Sequence, residues 1–468
     1  MKEKLAEKYS RLQEYLSSEV VSFSLLKRIL LPIFWEQLFL AALSLFSIWL
    51  LSFDGENSMS VVNMMSVVNK IFTSLCLGMV TGGTVLVAQN IGAKRTEGAS
   101  RAMVQTMGFA VLVTAALGVL LLWLKIPLVG YLLFGAGDDM ISKAALYFTG
   151  FCMSFPFYAF YQSFAGAMRG WGPSGMAWRL TLSVNCIELL LTGVFLIGLK
   201  MGVPGVTLAM AISRVFGACY TTRLMVAGRK ELQIKPVMYL SPNPVIIKSM
   251  LMIAIPLALE QFFFNSGKAM SQRFIAGYGT GHMAANGVVN AVFDLFNLPQ
   301  ITLREALVTV VGMCVGCGRF DLAKRYVYRF MRVIRKLLLW LMPITIPLSA
   351  LLVWSYRLTP QSNMLTIWCL IMIYVSGPPL LAGALSIPAG LRGGGDAAFV
   401  SVTALGCMWG VRVVFSWLFA GVMGLGVIGI NIAMILDWLF RSVIFRKRLK
   451  GESWYSRKLI AESYSHRT

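Results

Sequence analysis

The residues best placed to do chemistry are two glutamates in apolar surroundings. Glu36 lies in LPIFWEQLF and Glu260 in IPLALEQFF, so a Pro-x-x-x-Glu-Gln signature recurs 224 positions along the chain. If the first helix starts near Lys27, Glu36 sits about 13 Å inside it at 1.5 Å per residue. A bare charge at the centre of a membrane-spanning helix costs at least about 2.5 kcal/mol, so such a carboxylate protonates, binds a cation or pairs with a base. The first two courses are those an ion-coupled exchanger needs. The third, or acceptance of hydrogen bonds from small polar neighbours, would only fix helix packing.

Other internal charges follow the same logic. Glu188 and Arg412 are also 224 apart, so opposite charges stand where a repeat would place like ones. They could close as a pair in one state, or Glu188 could hold a cation balanced by Arg412, or each could be satisfied within its own half. Asp294, followed by Asn297 and Pro299, is the remaining candidate acid. The candidates for cation coupling or substrate contact are therefore Glu36, Glu260, Glu188, Asp294 and Arg412. Arg304 and Glu305 are adjacent and point about 100° apart on a helix, so both cannot face lipid. Lys70, Arg214 and Lys268 add further internal charges, whereas Asp437 and Arg441, spaced i, i+4, read as a local structural ion pair.

The elements that must position these residues are themselves duplicated. The 224-residue offset aligns VAQNIGAKR at Val87 with VGMCVGCGR at Val311 and GVTLAMAIS at Gly205 with GINIAMILD at Gly429, and MRGWG at Met168 matches LRGGG at Leu391 one residue short of that offset. Landmarks in the same order mean two homologous halves in the same orientation. Apolar stretches long enough to cross roughly 30 Å of hydrocarbon number about twelve, six per half. The fold class expected is an all-α polytopic membrane protein of two parallel six-helix repeats. A pseudo-two-fold axis along the membrane normal would leave a central cleft between them.

The domains expected are an N-terminal cytoplasmic segment 1–24, an N-lobe 25–226, a cytoplasmic linker 227–245, a C-lobe 246–445 and a C-terminal tail 446–468. Hydrophobic residues make up 57% of the chain and charged residues 13%, with mean hydropathy +0.72, a balance that a water-soluble fold could not bury. The net charge of +22 does not mark a nucleic-acid binder, because most of the 42 Lys and Arg fall in the termini and alternate loops. That asymmetry puts both termini on the cytoplasmic side. No cleavable signal peptide is visible, since residues 1–20 lack an apolar core. The eight Cys read as free thiols, the lone Cys314-x-x-Cys317 being a poor metal site. The aromatic run SFPFYAFYQSF from Ser154 reads as helix packing, with binding of a planar cation the less favoured alternative.

PIFWEQ, GGTVLVAQNIGAKR, AMRGWG, EALVTVVGMCVGCGRFDLAKR, AGLRGGGD, MWGVR and IAMILDWLFRSVIF occur in this order over nearly the whole chain. In these motifs the sequence resembles the multidrug and toxic compound extrusion (MATE) transporters. The resemblance implies two six-helix lobes around a cleft open alternately to either side, and export of small organic, often cationic, compounds in exchange for Na+ or H+. No cofactor beyond that coupling cation is expected, and no metal. Relatives commonly carry an Asp-Thr pair later in the first span, where this chain has Ser47, and the second-half counterpart is Ser271. A hydroxyl does not exchange a proton near neutral pH. Coupling must then use another carboxylate, proceed differently, or be lost.

The competing readings are a lipid-linked oligosaccharide flippase, for which Lys70, Arg304 and Arg412 could line a cleft, and a membrane receptor or scaffold without coupled transport. An enzyme is not expected: there is no G-x-x-x-x-G-K-[ST] loop and no H-E-x-x-H, and only His282 and His466 occur. The expected partners are small organic solutes and membrane lipids around a monomer in a bacterial-type plasma (inner) membrane. A Cys introduced at Ser58 in a thiol-free background should react with an impermeant reagent on intact cells, and one at Gly451 should not. The reverse pattern would invert the topology.

Overall fold

The computed structural model of the chain describes residues 18, 21–51, 56–132, 138–172, 174–228, 232–234, 238, 243–278, 280–355, 359–451 and 453–454. Of the segments assigned to the cytoplasm, residues 1–17, much of 227–245, and 455–468 lie outside these. The first half contributes α1 (Phe23–Leu51), α2 (Glu56–Gly92), α3 (Thr96–Trp123), α4 (Asp138–Trp171), α5 (Gly175–Gly193) and α6 (Val203–Ala227). The second contributes α7 (Pro244–Ala276), α8 (Thr280–Gly316), α9 (Phe320–Ser355), α10 (Pro360–Gly393), α11 (Ala397–Gly406) and α12 (Gly426–Lys450). A π-helical turn, Val194–Gly198, prolongs α5, and two of them, Cys407–Val413 and Trp417–Val422, prolong α11.

Ten of these helices, all but α1 and α4, are long and apolar enough to cross a membrane. The remaining two span 29 and 34 residues and take the places of the first and fourth spans. The protein is a multi-pass membrane protein with an all-α fold. Its outward faces agree, since Trp340, Trp354 and Val375 are 77%, 76% and 72% exposed on helices whose other faces are core. Such faces suit lipid rather than water.

The chain forms two compact units, one of Ser24–Ala258 and one of Leu259–Leu459 with the described residues before Ser24. The packing thus divides the chain inside α7 rather than at the 227–245 connection. Glycines explain where the first turns of α7 go. A Cβ on Gly78 would lie 2.6 Å from the Ala254 carbonyl oxygen, and one on Gly82 would lie 2.8 Å from that of Met250, so α2 and the start of α7 meet backbone to backbone. The connection is tied to α3 as well: Ser100 Oγ donates to the Leu232 carbonyl, and the Asn243 amide to Gln105 Oε1 at 2.8 Å. In the second unit, the Tyr326 hydroxyl donates to Ser18 Oγ (2.8 Å) and the Val21 carbonyl (3.2 Å), fixing the chain just before α1.

The duplication is written in the backbone. The turn after α2 closes with the Arg95 amide on the Asn90 carbonyl at 2.9 Å, and the turn after α8 with the Arg319 amide on the Cys314 carbonyl at 2.9 Å. Left-handed residues pair in the same way: Lys94 with Gly318, Gly172 with Gly395, Lys200 with Gly424, and Gly202 with Gly426. Lys94 (φ 58°) therefore occupies a conformation that its counterpart assigns to glycine. A Cβ at Gly318 would meet nothing within 4 Å, so only backbone strain opposes it there. Lys94→Gly should raise stability by about 1 kcal/mol and Gly318→Ala should lower it by about as much. Thermal unfolding of the purified protein in detergent reads both, and a loss at both positions would refute the assignment.

Candidate functional site

The strongest polar contacts within the spans begin with glycine. A Cβ on Gly170 would lie 2.4 Å from the Thr84 carbonyl oxygen, and one on Gly393 would lie 2.6 Å from that of Val308. The ends of α4 and α10 thus press against the backbones of α2 and α8 at matched places. The residue before each glycine is an arginine, and each reaches the repeated glutamate of its own unit. Arg169 Nη2 lies 2.7 Å from Glu36 Oε1. Arg392 Nη2 lies 2.6 Å from Glu260 Oε1 and 2.7 Å from Oε2.

Glu36 and Glu260 thus take the third course open to a buried carboxylate and pair with a base. The two pairs are not equally complete. Ser401 Oγ donates to Glu260 Oε2 at 2.8 Å, so that carboxylate has three short contacts. Ala177 and Trp178 stand at the matching place in the first half, and neither carries a hydroxyl. Glu36 Oε2 is buried with no hydrogen-bond partner among the described residues.

Glu188, on α5, is in a different position. Ser213 Oγ, on α6, donates to its Oε2 at 3.3 Å, and among the described residues no cation forms an ion pair with it. The charge that acts on it is Arg214 of the same unit. That guanidinium is otherwise engaged, donating to Ser154 Oγ at 2.9 Å and lying 5.1 Å from the ring centres of Phe151 and Tyr158. The aromatic run of α4 is accordingly core. Phe151 stacks on Phe155 at 5.1 Å, both are buried, and the cation on their faces is the protein's own arginine.

In the second unit Arg441 Nε lies 2.7 Å from Asp437 Oδ1 and its Nη2 donates to the Ala404 carbonyl at 3.1 Å. Arg412, carried by the π turn Cys407–Val413, feels Asp437 and Arg441. Each of Glu188 and Arg412 thus has a charged neighbour within its own unit. Asp294 is exposed on α8 and acts on Lys268. Arg304 is within electrostatic reach of Glu305, Arg392 and Glu260, a polar interior that accounts for adjacent charges on one helix. Cys317 Sγ donates to the Cys314 carbonyl at 3.2 Å. Ser271 Oγ donates to the Gly267 carbonyl at 3.0 Å, while the side chain of Ser47 lies outside the described residues.

Known proteins carry the same duplicated frame. Residues 32–194 match the MatE family, and residues 256–418 match it again. The chain belongs to the MatE family. Among curated MatE relatives, the uncharacterized transporter YisQ of Bacillus subtilis is 22% identical over 86% of this chain and 89% of its own length. The probable multidrug resistance protein YoeA of the same bacterium is 24% identical over 76% of this chain and 78% of its own. A solved MATE transporter of the MOP superfamily in an outward-facing conformation superposes with a TM-score of 0.81 at 19% identity, covering 93% of this chain and 96% of that one. A MOP superfamily transporter from Pyrococcus furiosus, described as having a binding pocket of reversed polarity, gives 0.80 at 18% identity over 94% and 98%.

Arg169, Arg392 and Ser401 are the partners that sequence reasoning passed over. The signal was available for the arginines: they recur in MRGWG and LRGGG as the glutamates recur in their helices, although the turn reads as a mere bend. Removing one member of a buried ion pair typically costs about 3–5 kcal/mol because the other is left unpaired. Glu260→Gln should therefore destabilise the protein by about 3 kcal/mol, and the double variant with Arg392→Gln should lose about 2 kcal/mol less than the sum of the single losses. A thermal-unfolding cycle of the four proteins tests this, and additive losses would show the pair to be energetically idle.

Proposed function

We propose that this MatE protein is a secondary active exporter of small organic compounds, driven by exchange for Na+ or H+ and working as a monomer among membrane lipids. Its place on this reading is a bacterial-type plasma membrane, with both termini in the cytoplasm, as the distribution of Lys and Arg suggests. The observation that carries the coupling is Glu188, a carboxylate within a span whose direct contact is a hydroxyl at 3.3 Å rather than a guanidinium. Such a group can take up a proton or a cation and release it as its surroundings change. Glu36 and Glu260, tied to Arg169 and Arg392, serve instead to hold their helices. Relatives named as probable multidrug resistance proteins make organic cations the first substrates to test.

The test uses purified protein in vesicles, with efflux of a panel of fluorescent cations measured under separately imposed Na+ and H+ gradients. Glu188→Gln should abolish gradient-driven efflux, at least tenfold in rate, while membrane insertion and thermal stability stay near the parent's, and Glu188→Asp should retain part of it. Undiminished coupled efflux by the Gln variant would remove Glu188 from the mechanism.

A further inference from the structure

The second unit contains a cation that its carboxylates do not balance. On α7, Glu260, Phe264 and Lys268 follow one another at i, i+4 and i+8 and share a face. Glu260 is held by Arg392, and Phe264 lies between two cations: Lys268 Nζ is 5.2 Å from its ring centre and the Arg441 guanidinium 5.3 Å. The same stretch of α7 seats on the π turn Cys407–Val413. Trp409 Nε1 donates to the Phe263 carbonyl at 3.2 Å, and a Cβ on Gly267 would lie 2.7 Å from Met408 Cε. Arg412 lies four residues beyond Met408, about one π turn, and Lys268 is the residue after Gly267. The two positive charges act on one another directly.

Asp294 opposes Lys268, and Asp437 opposes Arg412, but the Asp437 carboxylate is already held by Arg441 at 2.7 Å. Three cations thus face two carboxylates. Arg412 Nε is buried and has no hydrogen-bond partner among the described residues. Lys268, by contrast, is exposed on its helix, and an ammonium within a span faces a water-filled cavity rather than lipid. An unbalanced guanidinium beside an accessible ammonium fits an oxyanion: the guanidinium gives planar donors and the ammonium a point charge.

We propose that Lys268 and Arg412 form an anion-binding site in the second unit, which takes the carboxylate or phosphate group of an organic molecule. For its part in transport the proposal rests on the exporter reading, and it extends the substrates from organic cations to compounds bearing an acidic group. The occupant is either a free solute or the headgroup of an anionic lipid, and the chemistry of recognition is the same.

Calorimetry on the purified full-length protein, with no gradient present, tests the site using benzoate, its uncharged analogue benzamide, and benzylammonium. Benzoate should bind saturably and benzamide and benzylammonium at least tenfold more weakly; Lys268→Gln and Arg412→Gln should each weaken benzoate at least tenfold, and Arg412→Lys should restore part of the loss. Repeating the titration in nanodiscs of phosphatidylglycerol and of phosphatidylcholine names the occupant. Weaker benzoate binding in phosphatidylglycerol makes the lipid headgroup the competitor, and equal binding makes the free solute the ligand. Equal binding of benzoate and benzylammonium, benzoate binding unchanged in folded Lys268→Gln protein, or no benzoate binding in either lipid would overturn the proposal. Benzoate binding without any gradient-driven efflux would leave this site standing and remove the exporter reading. Cation efflux without benzoate binding would do the opposite.

Discussion

Everything polar in the spans depends on how closely two pairs of helix backbones can approach. At Gly170 and Gly393 a side chain as small as a methyl would strike the carbonyl of the neighbouring helix. Because both positions are glycine, the arginines before them are carried down onto Glu36 and Glu260, and the first helix of each half is tied to the fourth. A larger residue at either position would separate the helices and leave a charge on each side without its counterion, which is the costly way to fail in a low-dielectric interior.

Much of this was legible in the sequence, and the reason is the duplication. Any feature the architecture needs occurs twice at one offset, so a single chain provides an internal comparison. The twelve spans, the capped turns after α2 and α8 and the repeated glutamates all stand out in that comparison. What it hid were contacts made by residues of different types. Ser401 completes the Glu260 carboxylate, and nothing in its flanking sequence distinguishes it from the other buried serines. Arg214, lodged between aromatic rings, reads as a stray charge until the fold brings α4 against α6. Long-range polar contacts of this kind depend on side-chain geometry across helices, to which apolar periodicity is blind.

The halves share a frame but not an electrostatic character. In the first unit the unsatisfied group is acidic: Glu188 with only a hydroxyl, and one oxygen of Glu36 with no partner. In the second it is basic, with Arg412 and Lys268 side by side. Mirror-related frames bearing opposite surpluses give one protein two chemically distinct sites from one ancestral plan, and a carboxylate that exchanges cations need not compete with a base that holds anions.

The π turns carry a chronology. Val194–Gly198 and Trp417–Val422 fall at matched positions, so that irregularity was already in the six-helix ancestor when it doubled. Cys407–Val413 has no partner in α5, and over the same stretch the offset between halves lengthens by one, from Gly172 and Gly395 to Lys200 and Gly424. A helix that gains a residue without lengthening its path absorbs it as one wider turn. The turn that presents Arg412 is therefore the younger, the mark of a single codon inserted after the copies had begun to diverge, and the basic character of the second unit dates from that divergence rather than from the ancestor.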